Sequence, residues 1–444
     1  MPEVGERRRL LAGTARAVDA QVAAAQAAGK VPTLAAAVVR DGGLAHVAGA
    51  GDPVDPDTQF RIGSITKTMT AALVLQLRDE GRLSLDDLVY RHLPGTAVGG
   101  VTLRQLLGHV SGLQREPDGD WWERAPGVDL ETLLANVTPE KLAHPPYRGH
   151  HYSNLAYGLL GAVLQRISGE QWSALLAKRL SEPLGLLRTT YHPREPYARG
   201  YVVHPWEGTL REEPRHDSLA MAPAGQLWST LSDLARWAGF LADPDPAVLA
   251  PATVAQMCAP VVVHDPERWT GGHGLGLTLW RRGERVYAGH TGSMPGYLAV
   301  LAVHRPSGTG VVAFANAYTL HGDGIGGFGA DLLSTVLDRE PPPARPWRPV
   351  SAPPQELAPL CGRWWWMGRE YELGWLAEAG ELLVTPLSTG GEPWRFAPEG
   401  TDRWRGTAGM NNGELLLVRR EPGGEVRSLE IATFVFTRDP AQLE

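Results

Sequence analysis

The sequence predicts an α/β protein, α+β in arrangement: an antiparallel sheet flanked by helices, an all-α lobe beside it, and a small all-β barrel behind. Three observations carry this. Short extended apolar segments stand at both ends of residues 1–340 with helical periodicity between them. Residues 341–354 are crowded with proline (Pro341-Pro342-Pro343, Pro346, Pro349, Pro353-Pro354), which makes a stiff linker. Residues 355–444 then change character, with tryptophans punctuating short alternating segments between glycine turns.

In chain order, Met1 to Lys30 reads as an alanine-rich amphipathic helix, because Arg16, Asp19 and Gln21 interrupt any long apolar run. It does not fit a secretory signal, and a cytoplasmic protein is expected. Thr33 to Arg40 and Leu44 to Gly49 form a hairpin around Asp41-Gly42-Gly43. Gln59 to Ile62 is a third extended piece. Helical signals follow at Leu103 to His109, Leu130 to Val137, Tyr152 to Ile167, Trp172 to Leu180 and Thr230 to Leu241. Strands return at Gly274 to Trp280, Val286 to His290, Leu298 to His304 and Gly310 to Ala315, and Phe328 to Asp338 is a closing helix. Trp121-Trp122 is either a hydrophobic plug or a pocket wall. The tail tryptophans, Trp364-Trp365-Trp366, Trp375, Trp394 and Trp404, could bind a ligand, but packing a small barrel needs them too.

Composition excludes several classes. The net charge is -7 with both signs well mixed, so no basic surface for nucleic acid is present. No window approaches the roughly 20 apolar residues of a membrane span. Cys258 and Cys361 are too few for a disulfide framework. Gly322-Asp323-Gly324-Ile325-Gly326-Gly327 matches GxGxxG, yet the acidic residue at the required distance, Glu340, abuts the linker and no second βα unit follows. No dinucleotide, metal or organic cofactor is implied.

Chemistry enters at Phe60-Arg61-Ile62-Gly63-Ser64-Ile65-Thr66-Lys67, at the mouth of the apolar run Met69 to Leu77. If Ser64 opens that helix, residues i and i+3 share a face and the Lys67 amine lies beside the Ser64 hydroxyl. Only four of the 42 basic residues are lysine: Lys30, Lys67, Lys141 and Lys178. Arginine cannot give up its proton, whereas a desolvated lysine can serve as a base. The competing reading makes Ser64 a helix cap and lets Lys67 reach solvent.

Three further motifs favour the chemical reading. His151-Tyr152-Ser153-Asn154 opens an apolar helix, Gly289-His290-Thr291-Gly292-Ser293 ends a strand, and Leu106-Leu107-Gly108-His109-Val110-Ser111-Gly112-Leu113 closes a helix between them. In this order they resemble the serine β-lactamase and penicillin-binding-protein superfamily, in the branch of class C β-lactamases, D-Ala-D-Ala carboxypeptidases and related esterases. The resemblance covers Val31 to Asp338, and the tail is similar to the lipocalin-like domain of some members.

The resemblance implies that Ser64 is the nucleophile and Lys67 its partner, the two sharing with Tyr152 the work of acylation. Tyr152 would move a proton between nucleophile and leaving group with a pKa held low by Lys67 and His290. Asn154 would bond Lys67 and the substrate amide. His290 stands where most relatives have lysine, Thr291 and Gly292 continue the substrate-binding strand, and the N–H groups of Ser64 and Ser293 would form the oxyanion hole. The histidine makes efficient antibiotic hydrolysis doubtful. The expected activity is a serine hydrolase acting on a small ester or amide. The alternatives are a penicillin-binding-protein-type thioesterase that cyclises or releases a peptidyl thioester, and a non-catalytic binding or sensor module of the same fold.

Overall fold

The computed structural model describes residues 9–341 and 352–441, which fall into two compact units dividing between Pro342 and Pro343. Residues 342–351 of the expected linker lie outside the described residues. Among the described residues no helix is long and apolar enough to cross a membrane, and both cysteines are free.

The first unit begins with α1 (Ala12–Gly29), then β1 (Thr33–Arg40) and β2 (Gly43–Gly51). Asp41 and Gly42 both take positive φ, 48° and 67°, as a two-residue hairpin turn requires. Next come α2 (Thr66–Asp79), α3 (Asn154–Ser168) and α4 (Leu231–Ala242), with shorter helices among them. The chain then lays down β3 (Val262–Val263), β4 (Gly271–His273), β5 (Thr278–Arg282), β6 (Arg285–Met294), β7 (Tyr297–His304) and β8 (Thr309–Ala315). The last element is α5 (Gly324–Arg339). The sheet order is β2-β1-β8-β7-β6-β5-β4-β3, antiparallel throughout, so the N-terminal hairpin pairs with the last strand.

Both faces of this sheet are covered, which is why β1 reads as an unbroken apolar run. Ala35, Ala37 and Val39 pack toward the α2 core, while Leu34, Ala36 and Val38 pack with Val18 and Val22 of α1 and Leu333 and Val336 of α5. Helix α2 is buried along residues 66–77, its whole circumference enclosed, and its buried polar side chains donate to carbonyls inside: Thr68 to Ile65 O, Thr70 to Pro223 O and Gln76 to Val248 O.

Three expectations need correction. The α2 helix starts at Thr66, and Ser64 occupies a single 3-10 turn, Gly63–Ile65, ahead of it. The segment from Gly274 to Leu277 is a turn closed by Gly274 N–H to Leu277 O at 2.9 Å, with Gly276 at φ +79°; alternating apolar residues mimicked a strand there. Helix α5 begins four residues before Phe328 and absorbs the glycine stretch. A Cβ on Gly326 would stand 2.9 Å from Thr291 Cγ2, and one on Gly329 would stand 2.7 Å from Val300 Cγ1. Those glycines let the helix lie against the sheet, and packing outweighs their poor helix propensity.

The second unit is an up-and-down meander of β9 (Gly362–Trp366), β10 (Arg369–Leu376), β11 (Glu381–Pro386), β12 (Trp394–Gly400), β13 (Arg403–Ala408), β14 (Leu415–Arg420), β15 (Val426–Ile431) and β16 (Phe434–Phe436). Reciprocal backbone bonds between Trp365 and Thr437, 2.8 and 2.9 Å, tie the first strand to the last and nearly close a barrel. Trp364, Trp394 and Trp404 are buried in its core, so packing is the use made of these three.

Trp237 on α4 is fully buried, stacks on Phe240 and donates from Nε1 to Thr68 Oγ1 at 2.9 Å, holding α4 to α2. Trp237→Ala is expected to lower stability of the first unit by roughly 3–5 kcal/mol. Denaturant unfolding of the variant checks this, and a loss below about 1 kcal/mol would show that the indole does not clamp α2.

Candidate active site

Ser64 is fixed by its neighbours on both sides. Phe60 and Arg61 pair with Ser229 and Trp228, and Ile62 N–H bonds Leu227 O at 2.9 Å. From the other side β6 arrives so closely that a Cβ on Gly292 would sit 1.9 Å from Ile62 O and 3.3 Å from Ser64 N. A Cβ on Gly63, whose φ is +49°, would sit 2.5 Å from Ser293 N. Only glycine at both positions permits this approach. It brings the backbones of Ser64 and Ser293 together, as an oxyanion hole of two N–H groups requires.

Lys67 donates to Ser64 Oγ at 2.8 Å and to the carbonyl of Ala224 at 2.6 Å. Its side chain is completely buried, and burial pulls its pKa down to about 7, while Glu123 and Glu116 oppose the shift and Arg115 aids it. The amine is therefore available as a base near neutrality, and the reading in which Lys67 reaches solvent is removed.

Ser153 caps α3, its Oγ accepting from Ala156 N–H at 3.0 Å, which sets Tyr152 and Asn154 on either side of the cap. Tyr152 lies with its ring centroid 5.1 Å from Lys67 Nζ and is hydrogen-bonded to Ser64. Its pKa is raised, chiefly by burial, with the Ser64 bond pulling the other way. The expectation of a phenol held low is thus overturned: it resides in a site whose low polarity disfavours phenolate.

Asn154 is also corrected. Its Nδ2 donates to Glu116 Oε1 and Oε2 at 2.8 and 3.0 Å, and the hydrogen bonds of Lys67 go to Ser64 and Ala224 instead. Asn154 Oδ1 is buried with no hydrogen-bond partner. Glu116 also accepts from Trp122 Nε1 at 2.8 Å; Trp122 is buried, whereas Trp121 is exposed, so the pair is half plug and half surface.

His290 is buried with its pKa lowered to about 3, first by burial and then by Lys67. Its Nδ1–H donates to Thr291 O, leaving Nε2 buried without a partner. It supplies no positive charge at neutral pH and cannot depress Tyr152.

Ser64, Tyr152, Asn154, His290, Thr291, Gly292 and Ser293 all line one cavity of about 610 Å³, with Lys67 behind Ser64. Sequence reasoning missed Arg115 and Glu123, which also line it, and Glu116 beside them. Glu123 has its pKa raised to about 7, by burial and then by Glu116. These residues come from a loop without periodicity, and no local signal marks them. It also missed a gathering of histidines around His273, drawn from distant segments.

The sequence profile of the Beta-lactamase family matches residues 18–334, and that of a domain of unknown function (DUF7586) matches residues 353–438. Penicillin-binding protein 4 of Amycolatopsis lactamdurans is 32% identical over 370 residues, covering 75% of this chain and 92% of that protein. The D-alanyl-D-alanine-carboxypeptidase/endopeptidase AmpH of Escherichia coli K12 is 32% identical over 197 residues, 42% of this chain, and the match spans half of that protein's length, 50%. Among solved structures, a D-stereospecific amidohydrolase from Streptomyces sp. aligns with a TM-score of 0.62 at 27% identity, covering 72% of this chain and 97% of that one. With the profile spanning nearly the whole first unit and the Amycolatopsis protein matched almost end to end, the chain belongs to the beta-lactamase family.

Proposed function

We propose that this beta-lactamase-family serine hydrolase cleaves a small amide or peptide through an acyl-Ser64 intermediate. The observation that carries the choice of amide over ester is Asn154, which lines the same cavity as Ser64 and whose buried Oδ1 accepts from no protein group. An amide N–H satisfies it and an ester oxygen cannot, a difference of about 1–3 kcal/mol for a buried acceptor. The likeness to a D-stereospecific amidohydrolase supports the same substrate class.

Neutral Lys67 takes the proton from Ser64 as Oγ attacks the carbonyl carbon, and the N–H groups of Ser64 and Ser293 hold the developing oxyanion. The C–N bond then breaks, and the departing nitrogen receives the Tyr152 proton, which the Lys67 ammonium replaces. Water adds to the acyl-enzyme by the reverse route and releases the acid.

Three outcomes are expected. First, Ser64→Ala abolishes turnover of D-amino acid amides, and intact mass during wild-type turnover shows an adduct mapped to Ser64; unchanged turnover in the variant ends the proposal. A cyclic product from a linear peptidyl thioester would move the acceptor from water to an amine. Second, for an amide and an ester of one acyl group, Asn154→Ala lowers kcat/KM for the amide about 5–150-fold more than for the ester. Equal losses would remove the amide argument.

Third, kcat/KM rises as pH passes about 7, because Lys67 must be neutral to accept the serine proton. Glu123 raises the Lys67 pKa, so Glu123→Gln lets it fall further and moves this limb to lower pH. A limb that stays in place or moves to higher pH would dissociate the profile from Lys67.

A further inference from the structure

Five histidines from four separate stretches meet at one side of the cavity: His109, His150, His264, His273 and His290. His150 lies just before Tyr152, His264 just after β3, and His273 ends β4, so the loop ahead of α3 faces the edge of the sheet. The His150 ring centroid is 4.1 Å from that of His264 and 4.9 Å from that of His273. One nitrogen from each of these three rings lies within 4.8 Å of the others.

We propose that His150, His264 and His273 bind one divalent transition-metal ion of the zinc type. His264 Nε2 and His273 Nδ1 are 3.3 Å apart, long for a hydrogen bond between neutral rings. A tetrahedral ion with bonds of roughly 2.0–2.1 Å places its nitrogen ligands about 3.3–3.4 Å from one another. His273 Nε2 lies 3.4 Å from Thr278 Oγ1, so its proton has a hydroxyl to meet and the Nδ1 lone pair is turned toward His264. That is how a ligating imidazole is usually held. The independent sign is His150 Nε2, a buried ring nitrogen with no hydrogen-bond partner. Three imidazoles without a carboxylate suit zinc, copper, nickel or cobalt and not magnesium or calcium.

The neighbouring trio His109, His273 and His290 is the weaker choice. His109 Nδ1 accepts the Ser153 N–H at 3.1 Å, which puts the His109 proton on Nε2 and leaves that atom a donor. With three protein ligands a fourth position stays open, and His264 and His273 line the same cavity as Ser64. The ion would tie the segment carrying Tyr152 to the sheet edge and offer that position to an oxygen of the substrate. This departs from the sequence, which implied no metal. It does not depend on the amide reading: metal binding is measured without substrate.

The test uses the full chain, stripped with chelator and titrated calorimetrically with Zn2+, beside the visible spectrum of its Co2+ form. One equivalent per chain is expected, with the d–d bands of tetrahedral cobalt. His264→Ala removes an exposed side chain and is expected to weaken binding by at least about 10–100-fold. His46→Ala, on β2 at the opposite edge of the sheet, is the control and binds as the wild type. The absence of stoichiometric uptake overturns the proposal, as does uptake that is the same in His264→Ala and His46→Ala. His150→Ala tests the second ligand, and retention of full affinity there also overturns it.

Discussion

The buried Lys67 amine, held by a serine hydroxyl and one backbone carbonyl without a carboxylate in contact, is the constraint on which the first unit depends. An ammonium in that place is penalised for lost hydration, and two polar oxygens do not replace it. Glu123 and Glu116 are near enough to raise the pKa and too far to form an ion pair, so the amine stays poised instead of locked in its charged form. A carboxylate in direct contact would stabilise the ammonium and remove the base. Helix α2 achieves the poise by being enclosed along residues 66–77.

Enclosure on that scale requires neighbouring backbones to come unusually close. The Ala224 carbonyl that meets Lys67 belongs to a short helical turn held by Thr70 Oγ1 to Pro223 O at 2.9 Å and by Leu227 N–H to Thr66 Oγ1 at 3.3 Å. Helix α3 admits that turn through two glycines. A Cβ on Gly161 would fall 2.2 Å from Pro223 Cγ, and one on Gly158 would fall 2.8 Å from Met221 Sδ. The same packing that desolvates Lys67 therefore fixes α3, whose capped start carries Tyr152 and Asn154. Ser64, Lys67 and Tyr152, the nucleophile, base and proton donor of the proposed mechanism, are thus positioned by one set of contacts.

What was legible in the sequence follows from how local each cause is. The Ser64–Lys67 pairing needs only helical spacing, and it survived a shift of the helix start to Thr66 because the preceding 3-10 turn keeps the two residues on one side. The hairpin of β1 and β2, and β7 and β8, announced themselves through apolar runs and turns. The first turn of α5 did not, because the close approach that Gly326 allows is to Thr291 across the interface, outside any sequence window. The Tyr152 pKa was misjudged for the same reason: a neighbouring lysine can be read from a motif, but the burial that outweighs it cannot. Glu116, Glu123 and the histidines are brought in from loops and edge strands, and only the folded chain shows that they meet.

The corrected tyrosine makes better chemical sense of the site than the expected one. A phenol that holds its proton is a poor resting base, so the proposed mechanism assigns deprotonation of Ser64 to Lys67, whose pKa is near 7. What Tyr152 then supplies is a proton, and amide cleavage is where a proton is indispensable, since an amine leaves only when its nitrogen is protonated, whereas a thiolate or an activated alkoxide can leave without one. The burial that lowers the lysine also raises the tyrosine, so a single low-polarity environment separates acid from base across one hydroxyl group. Neutral His290 fits this division, since a cation at its position would lower both pKa values, favouring phenolate over phenol at Tyr152.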